Sequence, residues 1–294
     1  LPRRPAMTPP PAKFPNDRLI FDVGLHIGQD TVYYLSQGFS VVAVEANPLL
    51  AQAAGERFAK EIAAGRLIVE NVGIADHAGN AEFWICDDEY ELSSFDQEVA
   101  ARRGHKHHAI QIPCASIADL VDKHGLPRYM KIDIEGNDRV CLKQLSPGKS
   151  PAYISIESYG EESIADLAAL GYASFKVVDQ VCFRTLEDPP NFAYSSYWAL
   201  KAFRDRSNFV RNAYVARLAG KLGGRWLATK GMERYRMKAG HRFTVGSSGP
   251  FGEDTPGRWR SAEDAARALA LFDRWMKTSG LEPVTRWFDV HARK

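Results

Sequence analysis

The sequence predicts an α/β fold built on a mainly parallel, doubly wound sheet. Three observations predict it. From Leu19 to about Leu170, short apolar runs of strand length alternate with segments of helical periodicity. A glycine turn, Gly24-Leu25-His26-Ile27-Gly28, separates the first apolar run from the first helical segment. The second apolar run then delivers an acid, Glu45, about twenty residues beyond that turn.

Taken in order, Leu19-Ile20-Phe21 ends in Asp22, and a helix runs from about Gln29 to Gly38. Ser40 to Val44 is the next strand. Pro48 suits a first helical turn, and Leu50, Ala54, Phe58 and Ile62 recur along one face until Gly65. Arg66 to Val72 forms a strand with Asn71-Val72-Gly73-Ile74 at its end, and Ala81 to Cys86 an additional one. The polar stretch from Asp87 to His108 reads as a loop, with Ser93-Ser94 within reach of a ligand. Ser116 caps a helix to about Lys123, ended by Gly125 and Pro127. Tyr129 to Ile132 is a strand that delivers Asp133-Ile134-Glu135-Gly136, and Asn137 to Leu145 a short helix. Tyr153 to Ile156 carries Glu157 at its tip, and Glu162 to Leu170 is a helix closed by Gly171. Ser174 to Val178, Cys182 to Thr185 and Ser195 to Leu200 supply the last, partly antiparallel strands.

A chain of 294 residues with 45% hydrophobic content can bury a sizeable core in one large domain or one domain with an appendage. No apolar run approaches the ~20 residues of a membrane span. The opening LPRRPAMTPPPAKFPNDR lacks the apolar centre of a signal peptide, and its prolines predict an extended arm over residues 1–18. The four cysteines, Cys86, Cys114, Cys141 and Cys182, form no C-x-x-C pair, which argues against structural zinc and for reduced thiols in the cytoplasm. Charge is uneven. Residues 1–200 carry 18 Lys+Arg against 27 Asp+Glu, a net of −9, and residues 201–294 carry 20 against 9, a net of +11. The organisation expected is a catalytic domain over 19–200 and a basic, mostly helical extension over 201–294. That extension either meets an anionic acceptor, a membrane surface or nucleic acid, or docks on the acidic domain.

The glycines let the backbone approach a ligand closely, and the following helix start offers free N–H groups to it. Glu45 stands where a carboxylate accepts both hydroxyls of a ribose. A dinucleotide site prefers G-x-G-x-x-G, whereas the pattern here is D-x-G-x-x-x-G with Asp22 in front. That acid suits a cationic amine or sulfonium, as in S-adenosylmethionine. A nicotinamide-dependent oxidoreductase, or a glycine turn without a ligand, are the alternatives.

DVGLHIGQDT, VEANP, NVGIADHAGNAEFWI and MKIDIEGND, in that order, resemble the FkbM-type family of S-adenosylmethionine-dependent methyltransferases over roughly residues 19 to 180. The IDIEG block supplies most of the specificity, and His26 stands where the family's commonest loop has Asn. The resemblance implies a Rossmann-like class I methyltransferase fold and transfer to a hydroxyl of a natural product, sugar or lipid. The expected cofactor residues are Asp22, Gly24, His26, Gly28, Thr31, Glu45, Ala46, Asn47, Asn71, Val72, Gly73, Ser94 and Asp133.

A hydroxyl acceptor must lose its proton to a base or a metal as the new bond forms. Asp133, Glu135 and Glu157, at the ends of adjacent strands, are the expected catalytic acids or ligands of a divalent cation. Glu135 equally suits a helix cap. His105-Lys106-His107-His108 reads as a charged surface loop, with a base as the alternative. In the basic segment from Lys201 to Lys238, Tyr214, Leu218 and Leu222 keep helical spacing, which Gly223-Gly224 weakens. Gly246 to Trp259 must be irregular, and it resembles a segment in one branch of the same family. It is expected to close over the acceptor, with Phe251 and Trp259 as walls, or to be an ordinary connection. Ser261 starts a helix with Ala265, Leu269, Phe272 and Met276 on one face and Gly280 at its end, after which Trp287 to His291 folds back. A nucleic-acid-binding protein with an inactive core is the remaining alternative, and a small-molecule, sugar or lipid acceptor is the expected partner.

Overall fold

A computed structural model describes residues 14–180, 183–186, 241, 243, 247–278 and 287–294. Residues 1–13 of the arm, the expected strand Ser195–Leu200, the basic segment 201–238, and Cys182, Gly246 and Gly280 lie outside the described residues. The chain divides into two compact units, Leu1–Ile154 and Ser155–Lys294.

In the first unit, β1 (Leu19–Val23), β2 (Ser40–Val44), β3 (Leu67–Glu70) and β7 (Tyr129–Ile132) line up as β7-β1-β2-β3, all parallel. Every residue of β1 and β7 is buried, as expected of central strands that are covered on both faces. Burying each Ile, Leu or Phe there contributes about 1.5–3 kcal/mol. Helix α1 (Gln29–Ser36) joins β1 to β2. The helix expected from Pro48 to Gly65 is two, α2 (Pro48–Arg57) and α3 (Ala59–Ala63). Phe58 breaks it, because its ring turns inward against Gly28 while the Arg57 guanidinium stacks on it at 5.0 Å. The break also shifts the face, and Ile62 is exposed.

A second, three-stranded sheet has the order β4-β6-β5, with β4 (Gly73–Ile74), β5 (Gly79–Cys86) and β6 (His107–Ala115). Strand β6 corrects the expected loop boundary: antiparallel pairing with β5 runs from Gly79 opposite Cys114 to Cys86 opposite His107. Ile110, Ile112 and Cys114 face a small core with Phe83, Ile85 and Phe95. Between the strands, α4 (Gln97–Ala100) is capped by Asp96. Helix α5 (Ile117–His124) is capped by Ser116, whose Oγ accepts from the Asp119 N–H at 3.0 Å, and α6 (Asp138–Lys143) follows β7. The described cysteines Cys86, Cys114 and Cys141 are buried free thiols.

Strand β8 (Tyr153–Glu157) carries the division between the units. In the second unit follow α7 (Glu161–Ala169), β9 (Ser174–Asp179), β10 (Arg184–Thr185), α8 (Ala262–Thr278) and β11 (Phe288–Arg293). Strand β11 runs antiparallel to β9 and lies between it and β8. Ser261 begins α8 with its Oγ on the Asp264 N–H, and Ala265, Leu269, Phe272 and Met276 form the buried face. The 247–260 segment is irregular apart from one turn at Gly252–Asp254. It is fastened within its own unit: Phe251 is buried, and Lys176 Nζ donates to the Thr255 carbonyl at 2.6 Å. Trp259 lies within cation–π range of both Lys176, at 4.2 Å, and Arg293, at 4.7 Å. No helix among the described residues is long and apolar enough to cross a membrane.

Candidate functional site

The glycine turn follows directly from β1. Gly24 has φ +90, and a Cβ there would stand 1.8 Å from the Asp133 carbonyl oxygen. Only glycine lets the turn lie on the end of β7. Gly28, at φ +77, caps α1, and a Cβ would meet the Phe58 ring at 2.6 Å. The N–H groups of Gly24 and Leu25 both donate to the Val44 carbonyl at 3.0 Å, which ties the turn to β2.

Beneath the turn lies a buried charge cluster. Lys131 on β7 stands opposite Asp22 on β1 in register. Its side chain is 4% exposed and its ammonium is 3.4 Å from Asp22, 3.6 Å from Asp133 and 3.7 Å from Asp30. It also donates to the Gly24 carbonyl at 2.8 Å. Asp22 is sealed from solvent, and its Oδ2 accepts from Thr31 Oγ1 at 2.6 Å. Burial pushes the Asp22 carboxyl up to about 6, against the pull of Lys131. Asp22 and Thr31 therefore brace the turn from below.

Glu45, just past β2, is buried and pushed up to about 7 by desolvation. Its Oε2 accepts from the His26 N–H at 2.7 Å and Oε1 from the Asn47 N–H at 2.9 Å. Each oxygen keeps a further lone pair for a ligand hydroxyl. Asn47 Oδ1 caps α2 on the Leu49 N–H at 3.0 Å, while its Nδ2 is buried with no partner among the described residues. That orphaned donor beside Glu45 suits a hydrogen-bonding ligand edge. Asn71 Nδ2 donates to the Glu45 carbonyl at 2.8 Å and sets the approach of β3. Ala46 and Val72 are half-buried. At Gly73 a Cβ would meet the Phe95 ring at 2.4 Å and Ile112 at 2.8 Å, so the glycine makes room for a ring of the small core.

At the end of β7, Asp133 is partly open and Glu135 adopts φ +44, a conformation that strains a non-glycine residue. Ser94 Oγ pins that turn through the Glu135 carbonyl at 2.7 Å. Burial, then repulsion from Asp133, raises the Glu135 carboxyl to about 7, with Arg102 at 3.8 Å opposing. Asp138, at the start of α6, is likewise raised to about 7 by burial. His26, at φ +50, has its imidazole 3.9 Å from Glu91, and burial lowers its affinity for a proton.

Glu157 ends β8 in the second unit. The histidines lie on or beside β6, each with its own partner: His105 with Asp88 at 3.4 Å, His108 with Asp87 at 3.0 Å, and His107 edge-on to Trp84. Among the described residues no metal-competent trio includes a histidine. Lys131, Asp30 and Asp138 went unnoticed in the sequence. The available signal was a lysine inside the apolar run Tyr129–Ile132.

A parallel sheet whose glycine turn and acids gather at the carboxyl ends of β1, β2 and β7 defines a Rossmann-like ligand-binding α/β domain. The chain belongs to the FkbM methyltransferase family: the model of the methyltransferase FkbM domain matches residues 22–172. No curated protein matches the chain. Among solved structures, it is similar to precorrin-6y C5,15-methyltransferase from Geobacter metallireducens, at 11% identity over 56% of this chain and 69% of that one, with a TM-score of 0.34. Two SAM-dependent methyltransferases solved with S-adenosyl-L-homocysteine are also similar. The one from Geobacter sulfurreducens shows 10% identity over 95% and 85% of the two chains, with a TM-score of 0.31. The one from Thiobacillus denitrificans shows 12% over 94% and 84%, with a TM-score of 0.30.

Proposed function

We propose that this methyltransferase moves the methyl group of S-adenosylmethionine to a hydroxyl of a sugar, glycolipid or natural-product acceptor. The observation that carries the reading is the glycine turn seated on Asp133, with Glu45 and the unpartnered Asn47 amide at one end and the Lys131 cluster beneath. When bound, the cofactor supplies an electrophilic methyl on a sulfonium. One ammonium set against Asp22, Asp30 and Asp133 leaves a cradle suited to that cation, which a nicotinamide site does not need.

The residues do the rest. Glu45 and Asn47 hold the nucleoside end, and the turn from Gly24 to Gly28 fixes its distance from β7. Asp133 orients the acceptor hydroxyl, and Glu135 takes its proton as the oxygen–carbon bond forms and the carbon–sulfur bond breaks. A group held near 7 suits general-base work at neutral pH. Glu157 remains a candidate third acid from its strand-end position. Holding the reactants in line supplies several kcal/mol. Carboxylate oxygens also suit a divalent cation, and chelation tests that variant.

Calorimetry separates the readings. S-adenosylhomocysteine should bind and NAD should not, and Glu45→Gln should weaken the former about tenfold or more. Tight NAD binding would reject the proposal.

A further inference from the structure

The turn that joins α4 to β6 holds an arginine over the end of β7. Arg103 adopts φ +60 and Gly104 φ +77, two left-handed residues in succession, the first of them not a glycine. Backbone hydrogen bonds close the turn, from the Gly104 N–H to the Ala101 carbonyl at 3.0 Å and from the His105 N–H to the Arg102 carbonyl at 3.2 Å. Two contacts tether it: the Lys106 N–H donates to Asp88 Oδ2 at 2.8 Å, and Arg103 pairs with Glu89 at 3.7 Å. Arg102 is thereby presented from a fixed frame.

Its guanidinium lies 3.8 Å from Glu135 Oε2, a charge contact too long for a hydrogen bond, and the Arg102 side chain is 57% exposed. The fork of N–H donors is therefore open to a ligand. Asp133 borders the same place, with its charge answered by Lys131 at 3.6 Å, and so does His26, 3.9 Å from Glu91. All of these residues belong to the first unit, at the strand ends where ligands of parallel sheets bind.

We propose that Arg102 recognises a carboxylate on the methyl acceptor, which makes the substrate a hydroxy acid of the hexuronic type. The inference rests on the methyl-transfer reading above, in which Glu135 takes the proton of the acceptor hydroxyl. Arg102 stands beside Glu135, so a carboxylate seated on its guanidinium lies next to the reacting hydroxyl. That fits a molecule carrying the two groups on adjacent carbons. Guanidinium and carboxylate are both planar and join through two parallel hydrogen bonds. A phosphate would bring a second negative charge towards Glu135, Glu91 and Asp133, and like charges brought together weaken binding. The sulfonium of the bound cofactor adds a positive charge nearby, which suits a monoanion.

Saturation-transfer NMR titrations test this with S-adenosylhomocysteine present. They compare methyl glucuronoside and methyl galacturonoside with the neutral methyl glucoside and methyl galactoside. The wild type should bind at least one uronide about tenfold more tightly than its neutral partner, and Arg102→Gln should erase the difference. Arg103→Gln, which removes a charge already answered by Glu89, should keep it. Equal binding of uronide and neutral glycoside by the wild type, or no binding of any of the four, overturns the proposal whatever the variants do. A preference that survives Arg102→Gln overturns it too, as does tighter binding of glucose-6-phosphate than of either uronide. Calorimetry with S-adenosylhomocysteine keeps the two readings apart. A wild type that binds that ligand without preferring uronides rejects this inference alone, and one that ignores it yet selects uronides through Arg102 rejects the cofactor assignment alone.

Discussion

Replacing Lys131 by Met tests whether the Lys131 ammonium holds the charge cluster beneath the glycine turn together. Removing one partner of a buried ion pair leaves an uncompensated charge and costs about 3–5 kcal/mol. Here three carboxylates lie within 3.7 Å of that cation, and Asp22 is sealed from water. The pH dependence is the sharper part. The folded Asp22 carboxyl sits at about 6 against an ordinary 3.8, so the folded chain holds that proton more tightly than the unfolded one. Stability contributed by Asp22 is thus present at low pH and lost as pH rises from 3.8 to about 6, a penalty on the order of 3 kcal/mol. Without the lysine the carboxyl moves further up, and the loss extends above pH 6. Thermal denaturation of Lys131→Met should therefore show a Tm lower by roughly 6–15 °C at pH 8, shrinking markedly at pH 5. A deficit of equal size at both pH values, or none at pH 8, would refute the reasoning.

Gly24→Ala forces a Cβ to within 1.8 Å of the Asp133 carbonyl at φ +90, and should abolish S-adenosylhomocysteine binding by calorimetry. If Glu135 is the base, single-turnover methylation should rise through pH 7, and Glu135→Gln should flatten that rise and slow transfer by about 10²-fold or more. Ser94→Ala frees the Glu135 turn, and should lower stability by about 1 kcal/mol in urea denaturation. Full activity after exhaustive EDTA treatment is expected if Asp133 and Glu135 act as acid–base groups, and its loss with recovery on adding Mg²⁺ if they hold a cation.

The first four parallel strands were legible because each is a short apolar run with an unambiguous glycine or acid at its end. Ser40–Val44 and Tyr129–Ile132 fall where the sequence puts them. Strand β6 was not legible: charged and histidine residues surround it, and Pro113 argues against a strand, although the alternation of Ile110, Ile112 and Cys114 is there to be read. The kink at Phe58 escaped notice because a four-residue repeat continues across it, and only the ring's packing on Gly28 breaks the helix. In the site, the glycines and Glu45 were visible as motif positions. The inward burial of Asp22 and Thr31 was not, since it depends on Lys131 arriving from a strand about a hundred residues away. At Gly73 the sequence shows that a glycine stands at the strand end, but not that the Phe95 ring fills the space beside it.

Strand β11 is a wedge: one edge of β9 is met by the two-residue β10 at once, but the other finds its register partner only when residues 288–293 arrive, more than a hundred positions after Asp179. During synthesis the second unit must therefore wait with the facing edges of β8 and β9 bare, even after α7 and α8 have been made. Its maturation is a late, all-or-none event, and a ribosome stalled before Phe288 would leave those edges for a chaperone, or another chain, to cover.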